Sequence, residues 1–138
     1  MMTTTEELFE KGLARYQAGE AASELIPVFE DICNRAAKNS AAWTCLSWLY
    51  LLDGKSSAAF KAASKAIKLQ PGDPQTCVNL SIAMLEVGKS GVRQYIERAQ
   101  QVLGMSEELQ QELAQNFEDG LKRRPDWPEL ERVRSWLA

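Results

Sequence analysis

Residues 41–71 read AAWTCLSWLYLLDGKSSAAFKAASKAIKLQP. Trp43, Leu46 and Tyr50 recur three and four places apart, the spacing of one face of an α-helix. After Gly54 the same spacing resumes in Ala59, Ala62, Ala63 and Ala66, and Pro71 closes the stretch. A glycine between two such runs lets the first helix end in a left-handed turn at little cost. The stretch therefore predicts two short helices joined by a tight turn.

The pattern extends both ways. Leu8, Leu13 and Tyr16 mark an earlier helix opened by Thr4, with Glu7 three places on as a capping box. Leu25, Phe29, Ile32 and Ala36 mark the next. Asp73 before Pro74 is an N-cap with proline at the first helical position. It opens a helix carrying Cys77, Leu80 and Met84, followed by one carrying Tyr95, Ile96, Ala99 and Val102. Gly19, Gly54 and Gly88 stand 35 and 34 residues apart. Gly12, Ser47 and Ser81 repeat with that spacing, as do Leu8, Trp43 and Cys77. A small residue recurring in mid-helix predicts a place where a neighbouring helix crosses closely.

A two-helix unit repeating every 34 residues resembles the tetratricopeptide repeat (TPR), as seen in small stand-alone bacterial proteins. Trp43, Leu46 and Tyr50 match the family's first helix, with Ser47 at its small position. Gly54 matches the turn, Ala59 and Ala66 the small residues of the second helix, and Pro71 the terminating proline. Ala63 departs from the pattern, which usually has an aromatic there. The flanking units are more degenerate: Val92, Ile96 and Ala99 serve only with a one-residue shift. The resemblance implies an all-α fold, an α-solenoid of helix-turn-helix repeats at about 5–39, 40–73 and 74–105. Residues 106–138 break the period and are expected to form C-terminal capping helices, so that 1–138 is a single domain. Ser106 should cap a helix with a stripe of Leu109, Leu113, Phe117 and Leu121; Asp126 with Glu129 should open a last short one. Stacked repeats need such an end cap, although these helices could instead fill the concave groove.

Composition narrows the function. The 138 residues are 45% hydrophobic and 25% charged, ordinary globular material. The longest apolar run, Leu49–Leu52, is far shorter than the ~20 residues a bilayer helix needs. Met1 is followed by threonines and glutamates, so no secretory leader is expected, and a cytoplasmic location is. Cys33, Cys45 and Cys77 lack paired or chelating spacing and read as reduced thiols. There is no histidine, no glycine-rich phosphate loop and no metal-ligand pattern, so an enzyme, a metal site and a cofactor are not expected.

Charge is uneven: residues 1–31 carry −5, 32–105 carry +5 and 106–138 carry −3. Such a distribution could orient a partner or a second copy. Lys61, Lys65 and Lys68 share one helix face, Lys55 precedes them, and no acid occurs from Lys55 to Leu69. This stripe is a solvated face or a peripheral contact for an anionic surface. Lysines without exposed aromatics or arginines disfavour nucleic acid.

In TPR proteins the first helix of each repeat lines a concave groove. That register implies Phe9, Leu13 and Tyr16; Thr44, Trp48, Leu51 and Leu52; and Val78, Ile82 and Leu85. The family's clamp for chaperone C-terminal carboxylates needs a lysine and an asparagine where this chain has Phe9 and Leu13; Asn79 alone matches. Trp43 and Trp48 lie about 140° apart on their helix, which puts Trp43 at the family's buried position and Trp48 on the groove side. The implied function is a non-catalytic adaptor or assembly factor that holds an apolar peptide or amphipathic helix of another protein; self-association is the alternative.

Overall fold

The computed structural model describes residues 4–138, all helices and connections with no strand among them; the reading of the first residues as lacking a leader lies outside that range. The helices are α1 (Thr5–Gln17), α2 (Ala22–Arg35), α3 (Ser40–Leu52), α4 (Ser56–Leu69), α5 (Pro74–Val87), α6 (Arg93–Leu103), α7 (Glu107–Arg123) and α8 (Pro128–Leu137). Each helix of the first six packs on the next, and α3 also packs on α5, so α1, α3 and α5 form an inner layer with α2, α4 and α6 outside. This is an α-solenoid of helix-turn-helix repeats.

The local chemistry follows from the residues. The Thr4, Asn39, Asp73 and Ser106 side chains accept backbone N–H groups at the starts of α1, α3, α5 and α7. Gly19, Gly54 and Gly88 all have positive φ, at 94°, 74° and 77°. At α8 the expected capping box does not form: Trp127 is the N-cap residue and no side chain caps the helix.

The recurring small residues mark close crossings. A Cβ on Gly12 would lie 2.7 Å from the Phe29 ring, so only glycine lets α1 approach α2 this closely. Ser47 and Ser81 are fully buried and turn their hydroxyls onto the Thr44 and Cys77 carbonyls of their own helices. Val92, Ile96 and Ala99 are buried, the shifted register expected for α6. Two apolar clusters result, one joining α2 to one face of α3 from Ala42 to Leu49, the other joining α3, α4 and α5 to α6, α7 and α8.

The last two helices divide the roles that the sequence left open. α8 packs on α5 and α6 and covers the end of the stack. α7 leaves the third pair and crosses the concave face. Its Asn116 side chain reaches Gln75 of α5, Gly120 meets Trp48 of α3, and Arg123 reaches the last turn of α1.

Candidate functional site

Tyr16 stands at the centre of the concave face. Its hydroxyl donates to the Asp119 carboxylate of α7 and accepts the Trp48 indole N–H at 2.9 Å. Burial, then the bond to Asp119, pushes its ionisation well above the ordinary tyrosine range. The Arg123 guanidinium lies 4.0 Å from the centre of the Tyr16 ring and donates to the Tyr16 and Glu20 carbonyls at 2.6 and 2.7 Å. The Tyr16 carbonyl lies in the last turn of α1, at the negative pole of its dipole, which favours an arginine there.

Trp48 is only 8% exposed. One side of its indole lies against Trp127, ring centres 5.5 Å apart, and another against Gly120, where a Cβ would stand 2.8 Å from the ring. Trp127 is itself fixed by its indole N–H, which donates to Glu86 Oε2 at 2.6 Å. The Glu86 carboxylate, 5% exposed, also accepts from Arg124 at 3.0 Å and from Ser56. Arg124 donates in turn to the Leu51 carbonyl. One buried carboxylate thus ties α4, α5 and the connection between α7 and α8 together.

Between α3 and α5 runs a buried polar seam. The Thr44 and Thr76 hydroxyls are 2.7 Å apart, and the Asn79 amide donates to the Thr44 carbonyl and the Ser47 hydroxyl. Gln75 donates to the Asn79 amide oxygen. Asn79 is fully buried and fully paired, so its match to a carboxylate clamp is a packing feature and not a ligand contact.

The predicted groove residues therefore separate. Leu51, Val78 and Ile82 are fully buried and Leu52 and Leu85 half-buried; all five belong to or pack on the core that holds α7 and α8. The expected open apolar trough is absent there because the chain's own helices cover it. Phe9 packs edge-on against Phe29. Leu13, Tyr16, Thr44 and Trp48 come together round a cleft of about 650 Å³ between the inner layer and α7. Gln75 and Asn116 join them, with Glu112, Gln115 and Asp119 along the α7 side. Trp48 lies on the groove side, as expected, but is buried there, whereas Trp43, expected to be buried, is only half-buried, donates to the Ala37 carbonyl and lies under the Lys65 ammonium.

On α4, Lys61, Lys65 and Lys68 are exposed, but Lys55 pairs with Asp53 at 3.5 Å and leaves the stripe. Cys33 and Cys77 are buried, Cys45 is half-buried, and all three are free thiols. Burial pushes them up to about 12, 11 and 12 for Cys33, Cys77 and Cys45. Sequence reasoning missed Gly120, Asp119, Arg123, Arg124 and Glu86. Only Gly120 carried a signal, a glycine inside an apolar helical stripe.

Fold and site together define a tetratricopeptide-type helical stack closed by its own last two helices. No family model matches the chain, and no curated protein sequence does. Among solved structures it is similar to the type III secretion translocator chaperone SycD of Yersinia enterocolitica. That likeness has a TM-score of 0.71 at 15% identity, over 98% of this chain and 95% of that one. It is also similar to the first TPR of Spaghetti (RPAP3), bound to an HSP90 peptide. Here the TM-score is 0.58 at 17% identity, over 96% and 89%. At these identities the likeness establishes the tetratricopeptide fold.

Proposed function

We propose that the protein is a non-catalytic interaction module that holds a segment of another polypeptide in the cleft between α1, α3 and α7. The observation that carries this reading is the cleft itself. Its floor of Leu13, Tyr16 and Trp48 is apolar and aromatic, while Gln115 and Asn116 on its wall offer amides to a peptide backbone. The solved neighbours, a translocator chaperone and a domain bound to a peptide, support a polypeptide ligand. With α7 in place the cleft suits one extended segment rather than a second amphipathic helix beside it. Catalysis is disfavoured because there is no histidine and the Asp119 carboxylate is already held by Tyr16 and Arg123.

A photoreactive side chain at Gln115, on the cleft wall, tests this in extract of the source cells, with Ser57 on α4 as the control position. The expected result is a crosslinked polypeptide at Gln115 only, lost when Leu13→Glu puts a charge on the floor. Equal products at both positions, or a product indifferent to Leu13→Glu, would refute the reading.

A further inference from the structure

We propose that the outer face of α4 docks the protein on an anionic lipid bilayer, with the cleft turned toward solution. α4 is the outer helix of the middle pair, between α3 and α5 of the inner layer. In a curved three-pair stack that position is the crest of the convex side, the part that meets a flat surface first. Lys61, Lys65 and Lys68 are exposed there, and none pairs with a carboxylate among the described residues. Leu69, next in line, is 42% exposed, one of three large apolar side chains so exposed among the described residues.

The composition of this face selects the partner. Lysine is a hydrated point charge that suits a diffuse layer of headgroups, whereas a docked acidic protein or a nucleic acid favours the planar, bidentate arginine. A bilayer needs no cleft to receive a side chain. The rest of the molecule sets the orientation. Glu107, Glu108, Glu112 and Glu118 lie exposed on α7, on the concave side. A chain of net charge −3 would be repelled by an anionic surface in most orientations. It is attracted with the lysine face of α4 forward and the exposed Glu24, Glu30 and Asp31 of the outer helix α2 tilted away, and that orientation leaves the cleft open to the solution.

The test is co-sedimentation with vesicles of phosphatidylcholine containing roughly a third phosphatidylserine, beside pure phosphatidylcholine vesicles. The protein should pellet with the anionic vesicles at low salt, be released at about 0.5 M salt, and ignore the neutral ones. At about fivefold per lysine, Lys61→Gln/Lys65→Gln/Lys68→Gln should weaken partitioning about a hundredfold. Lys61→Gln/Lys68→Gln, which spares the Lys65–Trp43 contact and so guards against misfolding, should weaken it about 25-fold. Failure of the unaltered protein to pellet at low salt would overturn the proposal, as would both variants pelleting like it. Retention by soluble polyglutamate, with anionic vesicles leaving the protein free, would overturn it in favour of an acidic polypeptide.

Discussion

Replacing Gly120 by alanine adds one methyl group to α7, and its effect should change sign with the residue at position 48. The new Cβ would stand 2.8 and 2.9 Å from two Trp48 ring atoms and 3.2 Å from a Leu130 methyl carbon. Leu130 can rotate away. The indole cannot, because Trp127 backs it and its N–H is held by Tyr16. Overpacking of this kind costs about 1–3 kcal/mol, against a gain of about 1 kcal/mol for alanine over glycine inside a helix. The net expectation is a loss of about 1 kcal/mol. In a Trp48→Leu background the ring edge is gone, and the same substitution should stabilise by about 1 kcal/mol through helix propensity alone. The coupling between the two positions is then about 2 kcal/mol, well above the ~0.5 kcal/mol scatter of independent sites. Urea unfolding followed by circular dichroism measures all four corners of the cycle. Stabilisation by Gly120→Ala in both backgrounds would show that α7 does not rest on Trp48.

Three further outcomes follow from the same contacts. Glu86→Ala strips Arg124, Trp127 and Ser56 of their shared acceptor at a 5% exposed site and should cost about 3 kcal/mol in urea unfolding; a loss under ~1 kcal/mol would mean that the carboxylate does not hold α8. Gly54→Val forces a β-branched residue to φ near 74° and should lower stability by about 1 kcal/mol or more, an expectation that an unchanged melting temperature would contradict. The three thiols and Tyr16 all ionise less readily in the folded chain. The unfolded chain therefore releases its protons first, and stability should fall as pH rises above about 8.5. Cys45→Ala should flatten that fall between pH 8.5 and 11; a slope unchanged by the substitution would show that Cys45 contributes nothing to it.

The fold was legible because its determinants are local. Thr4, Asp73 and Ser106 cap helices through their own side chains, and glycines 19, 54 and 88 take conformations their immediate neighbours demand. Gly12 was legible as a close crossing through its recurrence at the repeat spacing. The site was legible only in part. Leu13, Tyr16, Thr44 and Trp48 do gather on the concave side. Yet the covering of Trp48 depends on where α7 returns, and that return is held by Arg123 and Arg124, which reach the carbonyls of Tyr16, Glu20 and Leu51 as well as the Asp119 and Glu86 carboxylates. A backbone acceptor leaves no mark in the residue pattern. The burial of Trp48 was illegible for the same reason: helical spacing puts it on the groove side, but only Gly120 of α7 and Trp127 before α8 bury it there.

The long reach of α7 also changes how the chain should fold. A plain array of helix pairs has contacts only between neighbours, so it can fray from either end and its pairs melt in sequence. Here Arg123 bonds to the carbonyl of Tyr16, 107 residues away along the chain, and Tyr16 bonds back to Asp119. The first pair cannot peel away without releasing α7, and α7 cannot leave without exposing Trp48. This closure turns a chain of local units into one cooperative body. It adds contacts of high sequence separation, which slow folding relative to an open array of the same length.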